Sequence, residues 1–206
     1  MHNRWFTIAG LVVAFLAAAA SAQERRSEVS VQGIGLFIGS WSGTSILASP
    51  MSGTASDSGG ALLSYRYSLR RWLAAEANYS FASNSENFST PEGSFGGRVS
   101  LQALTAGIVL KAPTIKRLTP YALADGGELF FNPTAADFFT DHAPARQSRG
   151  VVAYGGGARY RLTERLSLVG ECREVRYVAP DFSLLSITSG ILMHSLQPSA
   201  GIAIRF

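Results

Sequence analysis

The gaps in this chain constrain its fold more than the segments between them do. From about residue 28 onward the sequence falls into stretches that alternate apolar with polar or small residues. These are bounded by Gly, Pro, Asn, Ser and Asp, and none has helical periodicity. Eight of them are predicted strands: 28–41, 59–69, 72–82, 99–111, 119–131, 149–162, 165–178 and 193–206. The gaps after the odd strands are long: "SGTSILASPMSGTASDS", "SNSENFSTPEGSFGGR", "NPTAADFFTDHAPARQS" and "APDFSLLSITSGIL". Those after the even strands are short: "RR", "APTIKRL" and "TE". In an antiparallel meander the odd gaps lie at one end and the even gaps at the other. All the long gaps therefore share one end, and both termini lie at the opposite one. Four long structureless loops argue against a compact soluble domain. Short turns on one rim and long loops on the other are expected of a barrel that closes within a membrane.

The faces of the strands support the same reading. In the last strand Leu196, Pro198, Ala200, Ile202, Ile204 and Phe206 point one way, and Ser195, Gln197, Ser199, Gly201, Ala203 and Arg205 the other. The second strand sets Leu63, Tyr65, Tyr67 and Leu69 opposite Ser64, Arg66 and Ser68. The third sets Leu73, Tyr79 and Phe81 opposite Glu76, Asn78 and Ser80. The sixth sets Val152, Tyr154, Tyr160 and Leu162 opposite Ala153, Arg159 and Arg161. One wall is thus apolar, and the other carries charge and small side chains. A soluble barrel could turn the apolar wall inward. The aromatics decide against it, because Tyr67, Trp72, Tyr160 and Phe206 gather at the short-turn end of the apolar face, as an interfacial girdle does. A sheet in hydrocarbon cannot leave a bare edge, so the first and last strands are expected to pair and close it.

Some strands fit less well. The first sets Phe37 against Ile34, Leu36 and Ile38, which leaves its facing open. In the fifth, Asp125 is in phase with Tyr121 and Leu123 and would meet lipid, so the "DGG" at 125–127 is expected to be a bulge that resets the phase. In the seventh, Glu174 and Arg176 fall on the lipid side if alternation is unbroken, and are expected at or above the headgroups. Pro198 cannot donate to a ladder and predicts an irregularity in the last strand.

The start of the chain is read separately. "MHNRWFTIAGLVVAFLAAAASA" has Arg4, an apolar run from Trp5 and a closing Ala-Ser-Ala. This makes residues 1–22 an expected secretory signal peptide, with residues 23–206 as one barrel domain. The run is short of the roughly 20 residues that a spanning helix needs. Cys172 is the one cysteine, so no internal disulfide frames this exported chain. The net charge of +4 comes from scattered residues, nearly all arginine, and after an export signal it does not point to nucleic acid.

"SYRYSLRRWLAAEANYSF", "LTPYALADGG", "AYGGGARYRLTERLSLVGECREVRYVAPDF" and "QPSAGIAIRF" are similar to strand–turn–strand segments of the small bacterial outer-membrane β-barrel superfamily, the eight-stranded type of OmpA and OmpX. The resemblance covers nearly all of residues 23–206. It implies an all-β fold, an eight-stranded antiparallel up-and-down transmembrane β-barrel in the outer membrane with both termini periplasmic. It further implies that Gly201, Ile202, Ile204 and Phe206 form a C-terminal signal for the barrel-assembly machinery. Expected partners are that machinery, outer-membrane lipids and a surface ligand bound through the long loops. A nucleic-acid partner is not expected.

Inside the barrel, Arg66, Glu76, Arg159, Glu171 and Arg173 would converge in the lumen, where buried charges must pair. An eight-stranded lumen is just wide enough for side chains to fill, so a plug is expected ahead of a narrow pore. The serious alternative is a membrane-embedded enzyme, above all a lipid-modifying one such as a lipid A acylase or deacylase, or else a surface protease. Its candidates are few. His194 and Ser195 are adjacent in a strand and face opposite sides, and His142 lies in a long loop beside Asp141 with no nucleophile fixed nearby. Residues 23–206 hold two histidines and one cysteine, so no metal cluster or other cofactor is expected. The expected function is non-catalytic, structural or surface-interacting. The short turns carry Arg70, Arg71, Lys111, Lys116, Arg117 and Arg165 against Glu164, and could meet anionic headgroups.

Overall fold

The computed structural model describes residues 26–38, 41–44, 50–55, 58–90, 93–133, 146–178 and 192–206. Ten strands run in chain order: β1 Ser27–Ile38, β2 Trp41–Thr44, β3 Pro50–Ala55, β4 Ser58–Ser68, β5 Leu73–Thr90, β6 Gly93–Lys111, β7 Leu118–Pro133, β8 Gln147–Arg161, β9 Leu166–Val178 and β10 Leu192–Arg205. Eight of them close a ring. The order β5-β4-β1-β10-β9-β8-β7-β6 returns to β5 through the β5–β6 ladder, and every pairing is antiparallel. The result is a closed eight-stranded antiparallel barrel in which β1 and β10 are sealed along Glu28–Arg205 to Ile38–Ser195. Closure is what lets these sequences leave no strand edge in hydrocarbon.

Short turns join β4 to β5, β6 to β7 and β8 to β9. In the second of these Ile115 and Leu118 exchange both backbone hydrogen bonds, and Lys116 takes the positive φ of 56° that tight hairpin turns favour. The described ends of the chain meet at this same rim, where the Phe206 amide donates to the Ser27 carbonyl at 3.0 Å.

Two of the long gaps are not loops throughout. β5 and β6 continue as a ladder to Thr90↔Gly93, through most of the segment 83–98 that its Gly, Pro and polar residues mark as a loop. Across 41–55, β2 and β3 form a hairpin, and β3 takes the edge of β5 at Ser52↔Ser89 to Ala55↔Glu86, beyond where β4 releases it at Gly60↔Ala82. A ladder that need not bury one face against lipid has no need of a period-two pattern. The other two long gaps, with Phe138, Phe139 and His142, lie largely outside the described residues. So do Ile46 and Leu47 and residues 1–22, expected as a signal peptide.

Alternation holds through every barrel strand. On β10, Ser195, Gln197, Ser199 and Ala203 are buried, while Leu196, Ala200, Ile202 and Ile204 are exposed. On β1 the open question resolves with Ile34 and Leu36 inward and Phe37 outward. The expected reset at 125–127 does not occur. β7 pairs without interruption with β6 and β8, and Tyr121, Leu123, Asp125, Leu129 and Phe131 all face the lumen. The inner wall is therefore not confined to charged and small residues. On β9 alternation is likewise unbroken, so Glu174 and Arg176 are on the outer wall, paired at 2.8 Å. The β1–β10 register skips the pairs that would include Pro198 and Gln197, as the missing donor of a proline dictates.

Tyr67, Trp72 and Tyr160 are exposed on the outer wall near the short turns, and Phe37, Phe81 and Phe130 are exposed farther along their strands. Exposed Val31, Leu63, Leu104, Ile108, Val152, Leu168 and Ile202 occupy the wall between. An apolar band between aromatic girdles is the outer surface of a transmembrane barrel.

Candidate functional site in the lumen

The interior is stacked in layers along the barrel axis. Toward the end away from the termini, Ile34, Leu36, Leu62, Leu101, Leu129, Phe131, Tyr177 and Met193 belong to one apolar cluster. Phe131 and Tyr177 have ring centroids 5.7 Å apart. Nearer the short turns lies a cluster of ions. A cavity of about 40 Å³ separates the two, bounded by Asn78, Thr105 and Arg173 on one side and by Leu62, Leu101, Leu129 and Tyr177 on the other.

The ion cluster is assembled from four strands. Arg66 of β4 stands opposite Glu76 of β5 in the ladder and donates to it through Nε. It also crosses the lumen to Glu171 of β9, with Nη2–Oε1 at 2.5 Å. Arg173 of β9 donates twice to Glu171 Oε2, from Nε at 2.9 Å and from Nη2 at 2.6 Å. From the same place it reaches Glu76 Oε1 at 2.9 Å and Asp125 Oδ2 of β7 at 3.1 Å. β5 and β9 are four strands apart either way round the ring, so the Arg173–Glu76 bridge spans the full diameter. Asn78 Nδ2 contacts Glu76 at 2.9 Å and Asp125 at 3.1 Å. Tyr121 donates its hydroxyl to Glu171 at 2.6 Å and lays its ring under the Arg66 guanidinium, 4.4 Å from the centroid.

The three carboxylate side chains have no solvent exposure, and the two guanidiniums almost none. In such surroundings each charge is held by charge-assisted hydrogen bonds rather than by water. Two guanidiniums face three carboxylates, a formal surplus of one negative charge when all are ionised. Space for the bridges comes partly from β8. A Cβ on Gly157 would fall 2.4 Å from the Gly170 carbonyl and 2.9 Å from both Glu171 Cγ and Tyr121 Cζ.

Of the residues expected to converge, Arg66, Glu76, Glu171 and Arg173 form this one cluster. Arg159 stands apart nearer the short-turn rim, where its Nη2 donates to Glu28, and Arg205 approaches the same carboxylate at 3.7 Å. Sequence reasoning missed Tyr121, Asp125, Asn78 and Glu28 as members of these networks. The signal for Asp125 was its phase with Tyr121 and Leu123, which unbroken alternation places inward as a group. Of the other proposed residues, Ile202 and Ile204 are exposed on the outer wall, Gly201 faces inward, and Phe206 is half-buried at the rim. His194 is exposed on the outer face of β10 while Ser195 is buried in the lumen. Glu174, Arg176 and Tyr154 form a separate outer-wall group, with the Arg176 guanidinium 5.3 Å from the Tyr154 ring centroid.

A protein-family model described as "Outer membrane protein beta-barrel domain" matches residues 8–189. The chain belongs to this family. Membership carries the outer membrane as its location. No curated protein sequence matches the chain significantly. Among solved structures this outer-membrane barrel is similar to OprG from Pseudomonas aeruginosa, with 11% identity, TM-score 0.64, and coverage of 87% of this chain and 95% of that one. It is also similar to neisserial surface protein A, with 15% identity, TM-score 0.60, and coverage of 87% and 97%. AlkL, solved in lipid bilayers, matches at 13% identity and TM-score 0.52 over 90% of this chain and 93% of that chain. At these identities the likeness is one of fold.

Proposed function

We propose that this barrel is a non-catalytic outer-membrane protein whose lumen is plugged by its own side chains. Its role would be structural or surface-interacting, exercised at the end opposite the termini. The observation that carries the reading is the Arg66–Glu76–Asp125–Glu171–Arg173 cluster, which spans the lumen from β5 to β9 with the apolar cluster packed beyond it. An ion entering from the short-turn side would have to displace buried, multiply bonded charges and then cross an apolar layer.

The orientation that goes with this reading follows the usual barrel rule of short turns in the periplasm. It puts both described ends of the chain in the periplasm, after export with removal of residues 1–22. The outward Ile202 and Ile204 beside Phe206 supply the apolar last-strand pattern that barrel-assembly machinery would engage. The lipid-modifying alternative is less well supported by the geometry, because His194 and Ser195 lie on opposite faces of β10.

Planar-bilayer recording of the purified, folded protein tests the plug. Electrical silence is the expected result. Discrete, reproducible single-channel steps would contradict it.

A further inference from the structure

The mouth at the short-turn end has a chemistry that the plug does not use. An open recess of about 820 Å³ lies there, within the roughly 300–1,000 Å³ typical of small-molecule sites. Six cationic side chains line it: Arg26, Arg70, Arg71, Lys111, Arg159 and Arg205. They come from the residue before β1, the β4–β5 turn and the ends of β6, β8 and β10, so closure of the barrel is what gathers them. Glu28 offsets part of this charge, but its one carboxylate is divided between Arg159 and Arg205.

Arg159 is the key residue. It is only 5% exposed, and although its Nη2 donates to Glu28, its Nε is buried and donates to no protein acceptor. A buried guanidinium donor without an acceptor is costly, and it lies on the wall of this recess. Beside it Lys111 is held toward the mouth by a 2.7 Å hydrogen bond from its Nζ to Ser68 Oγ. Like charges lining a concave, low-dielectric wall focus a positive potential into the recess. Guanidinium forks match phosphate oxygens in geometry as well as in charge. A carboxylate would offset one cation, whereas a phosphate monoester or diphosphate offsets about two or more.

We infer that the short-turn mouth is a binding site for a phosphate-bearing anion, seated on Arg159 and Lys111 with the β4–β5 turn arginines at the rim. This does not depend on whether the lumen beyond is plugged. The phosphate could belong to a soluble molecule or to a lipid headgroup, and the test separates them.

The folded barrel in phosphocholine bicelles is titrated calorimetrically with inorganic pyrophosphate, against sodium chloride at matched ionic strength. Saturable binding to the wild type is expected. Affinity should fall about tenfold or more in Glu28→Gln/Arg159→Gln, which removes the buried pair together so that no lone charge is left inside. Arg70→Gln/Arg71→Gln, at the exposed turn, should fold normally and weaken binding several-fold. The titration is repeated with phosphatidylglycerol in the bicelles. Unchanged pyrophosphate binding identifies a soluble ligand, and its loss identifies the headgroup as occupant. Heats that match sodium chloride in both bicelles, or affinity unchanged in both variants, would overturn the inference.

Discussion

Removing Arg173 should unfold this barrel more readily than removing any other single charge in it. Its guanidinium makes four hydrogen bonds, two to Glu171 and one each to Glu76 and Asp125. In Arg173→Met, three carboxylates without solvent exposure are left with Arg66, which reaches Glu76 and Glu171 but not Asp125. Breaking a buried ion pair by deleting one partner costs about 3–5 kcal/mol, and here one deletion breaks three. Asp125→Asn is the informative contrast. It lowers the cluster from two cations and three anions to two and two, and it leaves an amide oxygen to accept from Arg173 and Asn78. Its cost should stay within about 1 kcal/mol. The assay is urea unfolding in phospholipid vesicles, followed by the gel shift between folded and unfolded barrel. At a slope of about 1–3 kcal/mol per M, Arg173→Met should lower the midpoint by at least about 1 M. Arg173→Met/Asp125→Asn should recover more than about 1 kcal/mol of that loss, since the two sites share partners. Equal costs for the two single variants would refute the charge count on which this rests.

Other consequences follow from the same geometry. Tyr121→Phe deletes a 2.6 Å donor to a buried carboxylate and should cost about 1.5–3 kcal/mol by the same assay. Gly157→Val forces atoms into the space held by Tyr121 and Glu171, and overpacking of this kind costs about 1–3 kcal/mol or more. Leu104→Arg puts a charge on an outer-wall site that is 58% exposed, and should cost about 2–4 kcal/mol in vesicles if the site lies near the bilayer midplane. A neutral Leu104→Arg would mean that this wall does not face hydrocarbon.

The barrel was legible in the chain wherever one face had to meet lipid. β4, β5, β8 and β10 could be assigned face by face because Leu63, Tyr79, Val152 and Ile202 alternate with Ser64, Ser80, Ala153 and Ala203. β7 was misread for a physical reason. Tyr121 and Leu123 look like a lipid face, but a lumen this narrow is packed like a core and takes large apolar side chains, Leu129 and Phe131 among them. Where both faces are apolar, hydrophobicity cannot tell in from out, and only the phase of Asp125 carries the answer. The extension of β5 and β6 to Thr90 and Gly93 was invisible because a ladder outside the hydrocarbon has no face to pattern. The lumen cluster was readable as a set of inward charges. Its membership was not, because β4, β7 and β9 come together only on closure, and period-two reasoning about single strands says nothing of strand order.

The claim that most else depends on is that the apolar wall faces acyl chains and the charged wall faces inward. Spin labels placed singly at residues 196–204 along β10, in the barrel folded into vesicles, test it directly. Collision with lipid-dissolved oxygen should be high at 196, 200, 202 and 204 and low at 197, 199, 201 and 203. Oxygen access that peaks at the odd positions, or that shows no two-residue period, would contradict it.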